Sequence, residues 1–86
     1  VTRLWAESEA ITVTVDSRGW PMAFQWRGRT HEVQHIRQRW QVETDWWADA
    51  GAMRREYMAV TTRDHLLCVI YFDLQAQAWR LSKVYD

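Results

Sequence analysis

The chain has 86 residues, with eleven basic and eleven acidic side chains and a formal net charge of zero. It is short for two separate cores and lacks the basic excess of a general nucleic-acid binder. Its one cysteine, Cys68, cannot close an internal disulfide, and its longest apolar run, Leu66 to Phe72, falls well short of the roughly 18 residues of a membrane-spanning helix.

Taken in chain order, Ile11, Val13 and Val15 alternate with Thr12 and Thr14, the period-two pattern of a strand with one buried face. Asp16-Ser17-Arg18-Gly19 reads as a turn. Met22, Phe24 and Trp26 form a second alternating set, and Arg27-Gly28-Arg29 allows a hairpin into a third strand through His31 and Val33. The alternation slips between Val33 and Ile36 and resumes at Trp40 and Val42. That fits either one bent strand carrying a bulge or two strands around a corner.

The stretch Ala48 to Met53 mixes small and polar residues and reads as a surface loop or a short helical turn. Tyr57, Ala59 and Thr61 alternate next, Arg63-Asp64 makes a turn, and Leu66 to Phe72 is a strand with both faces covered. Asp73 to Ala76 is the last turn before a strand with Trp79, Leu81 and either Val84 or Tyr85. Six or seven short strands at intervals of roughly ten residues, with no helical pattern, predict an all-β domain over 1–86, a small antiparallel barrel or a strongly bent sheet.

Seven tryptophans, at positions 5, 20, 26, 40, 46, 47 and 79, stand out in so short a chain. Each can bury about 200 Å², worth about 5 kcal/mol, so most are expected to be structural. Trp26, Trp40 and Trp79 fall in phase with neighbouring apolar positions and are assigned to the core. Trp5, Trp20 and one of Trp46 and Trp47 are the surface candidates. Adjacent strand residues point to opposite faces, so the Trp46-Trp47 pair predicts a second apolar surface.

Among the basic residues only Lys83 is a lysine; the rest are arginines. Arginine pairs with carboxylates and stacks on aromatic rings, and ion pairs and ring contacts of that kind are the expectation for most of them. The aromatic and arginine clusters are Trp26-Arg27-Gly28-Arg29, Arg37 and Arg39 around Trp40, and Arg54-Arg55-Glu56-Tyr57 after the Trp pair, and from them Trp46, Trp47, Arg54, Arg55 and Tyr57, with Arg27 and Arg29, are nominated as a binding surface. Trp, Tyr and Arg are the types enriched at protein hot spots, and single-strand nucleic-acid binders use the same types. Net neutrality and the interspersed acids Glu32, Glu43, Asp45 and Asp49 favour a protein partner or a second copy over nucleic acid.

His31-Glu32-Val33-Gln34-His35 matches the short pattern of a zinc protease helix. In a strand the two histidines would lie about 13 Å apart, too far to share a metal, so ordinary surface histidines are expected. Cys68, in the most apolar strand, is expected to be a buried thiol rather than a nucleophile. No phosphate loop, serine nucleophile elbow or cysteine pair for zinc stands in the sequence. The expectation is a non-enzyme without cofactor, metal or small-molecule substrate. The first residues, Val1 to Trp5, lack the apolar stretch of a signal peptide, which makes the cytoplasm the expected setting.

Through Phe24-Gln25-Trp26-Arg27-Gly28-Arg29, Val33, Trp40, Trp46-Trp47, Arg55-Glu56-Tyr57, Trp79 and Val84-Tyr85-Asp86, nearly the whole chain resembles a family of small uncharacterised bacterial domains. Members of that family occur alone, or near or fused to the polymerase-like subunit of the damage-induced mutagenesis complex. The resemblance implies a DNA-repair context and supplies no catalytic residues. His31 stands where relatives carry an aromatic residue, which weighs further against a metal site. The expected function is a non-catalytic protein-interaction module; the alternatives are single-stranded nucleic-acid binding and homodimerisation through surface aromatics.

Overall fold

The computed structural model describes the backbone of residues 2–44 and 53–85 and the side chains of residues 9–43 and 54–85. The strands are β1 (Thr2–Ala10), β2 (Thr12–Val15), β3 (Pro21–Trp26), β4 (Arg29–Thr44), β5 (Met53–Thr62), β6 (Leu67–Asp73) and β7 (Ala78–Tyr85). They form one antiparallel sheet in the order β1-β7-β6-β5-β4-β3-β2, and the described residues contain no helix. The two edge strands, β1 and β2, are consecutive in the chain with only Ile11 between them. The sheet therefore curls until its edges meet at that residue, whose amide donates to the Trp79 carbonyl at 3.3 Å. The result is a half-barrel.

Curl and turns follow from local sequence. The β4–β5 register shifts between Val33 and His35 and again between Ile36 and Gln38, leaving Gln34 and Arg37 as extra residues. Such bulges bend a strand and increase its twist. They let a single 16-residue β4 pair with β3 through its first part and with β5 through the remainder. Between the two strand possibilities left open by the sequence, the bent strand is the one that forms. The β3–β4 hairpin turns on Arg27 (φ 52°) and Gly28 (φ 77°), two left-handed residues whose twist suits a tight hairpin. At the β2–β3 turn, Asp16 Oδ1 accepts from the amides of Arg18 and Trp20 at 2.8 and 2.9 Å.

The core lies on the inner face and comprises Phe24, Met58, Val60, Cys68, Ile70, Leu81 and Val84. Trp20, Trp26 and Trp79 pack partly buried against it. Trp26 and Trp79 are thus where the sequence placed them, whereas Trp20 was expected at the surface and instead covers the core. Trp40 departs in the opposite sense. Its partner across β4–β5 is Tyr57, not the inner Met58, which pairs with Arg39; paired residues share a face, so Trp40 lies on the outer side.

His31 also corrects an expectation. It is 4% exposed, held between the rings of Phe24 and Trp26 at 5.3 and 6.0 Å, with Nδ1 2.9 Å from Asp64 Oδ2. The extra residue Gln34 throws His35 onto the opposite, exposed face. The two histidines are separated by the sheet itself. Asp64 also accepts from the Thr62 hydroxyl at 2.6 Å, and that bond, followed by the one to His31, holds its carboxyl below the ordinary value of 3.8. Cys68 is fully buried, and burial pushes its thiol up to about 12.

Candidate functional site: the outer face of the sheet

Because side chains alternate along a strand, every residue flanking the inner core carries the outer face. In β6 this has an unusual consequence: Cys68, Val69, Ile70 and Tyr71 are all buried, so apolar groups are withdrawn from water on both sides of the same strand. The outer pair is nearly as buried as the inner one, with Val69 at 3% and Tyr71 at 2% exposure. Across the neighbouring strands, Trp40 pairs with Tyr57 and Tyr57 with Tyr71. The Trp40 and Tyr57 rings stack at 5.6 Å and 8°, and those of Tyr57 and Tyr71 meet at 4.8 Å and 35°. Three strands thus contribute one ring each to an aromatic ladder.

Arg55 completes this ladder. It lies two residues before Tyr57, hence on the same face, donates from Nη1 to the Tyr57 hydroxyl at 3.2 Å and sets its guanidinium 4.6 Å over the Tyr71 ring. The hydrogen bond to Tyr57 raises its pKa further above its already high ordinary value, so the guanidinium stays charged. Its Nε is buried without a hydrogen-bond partner.

The opposite side of these strands is polar near the same end. Arg39, Gln41 and Glu43 face inward beside Met58, Glu56 and Arg54. Arg39 pairs with Glu56 at 2.6 Å and lies 4.7 Å over the Trp20 ring, while Arg54 reaches Glu43 at 3.5 Å. The apolar side of β4 therefore changes from inner at Val33 and Ile36 to outer at Trp40 and Val42. An amphipathic strand that inverts in this way places aromatic mass where the inner core no longer needs it.

Beside the ladder runs an open groove of about 560 Å³. Its floor is Ala59 and Val69, with Thr61 and Leu67 continuing it, and its rims are Trp40, Tyr85, Lys83, Gln38 and Arg37. The pairings Ala59–Val69–Lys83 and Thr61–Leu67–Tyr85 place it on the outer face. The Thr61 hydroxyl is buried there without a partner.

A profile of the DUF6504 family, described as a domain of unknown function, matches residues 3–86. The chain belongs to the DUF6504 family. No curated protein and no solved structure matches it.

Of the residues nominated from the sequence of this DUF6504 domain, Arg55 and Tyr57 meet on the ladder. Arg54, next in the strand, points the other way into its pair with Glu43. Arg27 and Arg29 sit at the β3–β4 hairpin, toward the start of β4, whereas Arg55 pairs with Val42 near its end. Arg27 covers the Trp26 ring at 4.9 Å and pairs with Glu9 at 2.9 Å. The nominated set is therefore not one surface. Trp46, Trp47, Asp45 and Asp49 lie outside the described residues, as does the Trp5 side chain. Arg37 and Trp40, one of the aromatic and arginine clusters of the sequence, both line the outer groove, whereas Arg39 of the same cluster faces inward; Tyr71 and Lys83 were not nominated, although the doubly apolar run of β6 signalled that an outer layer was needed. Among the described residues no group of His, Cys, Asp and Glu is arranged to hold a metal, and no helix is long and apolar enough to cross a membrane.

Proposed function

We propose that this domain is a non-catalytic binding module that engages a protein partner through its outer face, in a bacterial DNA-repair or mutagenesis setting in the cytoplasm. The observation that carries this reading is the ladder Trp40–Tyr57–Tyr71 with Arg55 upon it, aromatic and arginine side chains gathered on the face turned away from the core. Large rigid rings and arginine give much contact area for little lost conformational freedom, which is why they dominate interface energetics. The repair setting rests on the family resemblance alone. Charge supports a protein over nucleic acid, since four of the arginines, Arg27, Arg39, Arg54 and Arg63, are paired with carboxylates.

The test is capture of partners from a bacterial lysate by the immobilised domain, compared with Trp40→Ala and Arg55→Ala. Specific capture that both variants lose supports the reading; capture that neither affects contradicts it. Single-strand binding is the second reading, favoured by the stacked Trp40–Tyr57 pair, and anisotropy with labelled oligonucleotides at low and high salt decides it. A concentration-dependent mass in sedimentation, lost in Trp40→Ala, assigns the face to a second copy instead.

A further inference from the structure

The described lining of the groove beside the ladder holds two cations and no acid. Four arginines are matched with carboxylates, at Arg27–Glu9, Arg39–Glu56, Arg54–Glu43 and Arg63–Glu32. The two cations on the groove, Arg37 and Lys83, have no carboxylate partner among the described residues, and no acid lines it. Among the described residues, Lys83 has the Tyr85 ring as its neighbour, 6.0 Å away. Arg37 projects from the bulge in β4, the extra residue between Ile36 and Gln38, so the same irregularity that bends the strand delivers a charge to the rim. Between the cations the floor is aliphatic, and the Thr61 hydroxyl at its side is buried and unpartnered.

We propose, building on the reading of the outer face as a protein-binding surface, that this groove takes an acidic peptide segment of the partner. One apolar side chain of the segment sits on Ala59 and the exposed Leu67. Its flanking carboxylates meet Arg37 and Lys83. The complementarity is chemical: an aliphatic floor suits a leucine-sized group, and two cations at the rim, with no acid in the described lining, suit two carboxylates. A nucleic-acid strand fits less well. It asks for a row of cations along a backbone and open ring faces for its bases, whereas the groove offers two cations, and Tyr57 already covers one face of Trp40.

The probe is a fluorescein-labelled short peptide of aspartate and glutamate around one central leucine, read by anisotropy at low salt. The comparators are the same peptide with serine for leucine, a lysine-for-acid version, and labelled oligothymidylate. The protein variant is the double reversal Arg37→Glu/Lys83→Glu, both outside the inner core, with its melting curve taken alongside to confirm folding. The expected result is binding of the acidic peptide that weakens by about tenfold or more in the double reversal and by about tenfold with serine. Absence of acidic-peptide binding, or binding that the reversal leaves unchanged, overturns the proposal. So does equal binding of the serine or lysine peptide, and so does oligothymidylate binding that the reversal abolishes, which gives the groove to nucleic acid. Partner capture that is lost in Trp40→Ala but retained in the double reversal removes the acidic segment while leaving the outer face as the interaction surface.

Discussion

Ile70 and Tyr71 are neighbours in β6 and almost equally hidden, at 0% and 2% exposure, yet they are hidden by different things. Ile70 belongs to the inner cluster, sealed where the curled sheet brings β3 over β5, β6 and β7. Tyr71 faces outward and is covered in part by the Tyr57 ring and the Arg55 guanidinium. Aliphatic packing fixes the fold on one side, and an aromatic layer with a permanent cation builds a surface on the other. A sheet this small can carry both because β4 inverts: its inner side is apolar at Val33 and Ile36 and charged at Arg39 and Glu43, its outer side the reverse.

The sharpest break in that comparison is on the inner face. Ile70→Ala leaves a cavity with no solvent path and is expected to cost about 2–5 kcal/mol, measured by urea unfolding followed by circular dichroism. Trp40→Ala, on a half-buried ring stacked on one neighbour, is expected to cost less, about 1–2 kcal/mol. Equal losses would erase the distinction between a face that holds the fold and the face proposed to meet a partner.

A third expectation concerns pH. Asp64 has its carboxyl held below the ordinary 3.8 by Thr62 and His31, so on acidification the unfolded chain takes up a proton before the folded one does. Its contribution is complete above that ordinary value and is lost as pH falls through the lower folded value. Denaturation followed between neutral and strongly acidic pH should show wild type losing more stability in that window than Asp64→Asn, which has no proton to gain. The smallest effect belongs to Arg54→Ala: its pair with Glu43 is exposed on both sides, and a change within about 0.5 kcal/mol in the same unfolding experiment is expected.

Much of the fold was legible because it rests on period-two alternation and on turn chemistry. The Arg27-Gly28 hairpin, the Asp16 turn and the doubly covered strand at Leu66 to Phe72 follow from residue types alone. β1 carried no such alternation and was not foreseen. The face of Trp40 was not legible either: the slip between Val33 and Ile36 showed an irregularity, but only the positions of the extra, bulged residues Gln34 and Arg37 decide which side Trp40 and Val42 take. The same bulge separates His31 from His35 and turns one into a core residue. For the outer face, Arg55, Tyr57 and Arg37 could be picked by type, whereas Tyr71 and Lys83 join them only through strand pairing.

The central claim is that the outer aromatic layer meets a partner while the inner tryptophans serve the fold. The direct measurement compares partner capture by wild type, Trp40→Ala and Trp20→Ala, each confirmed folded by its melting curve. Capture lost in Trp40→Ala and kept in Trp20→Ala is the predicted result. Capture kept in Trp40→Ala, or lost only in Trp20→Ala, would contradict it.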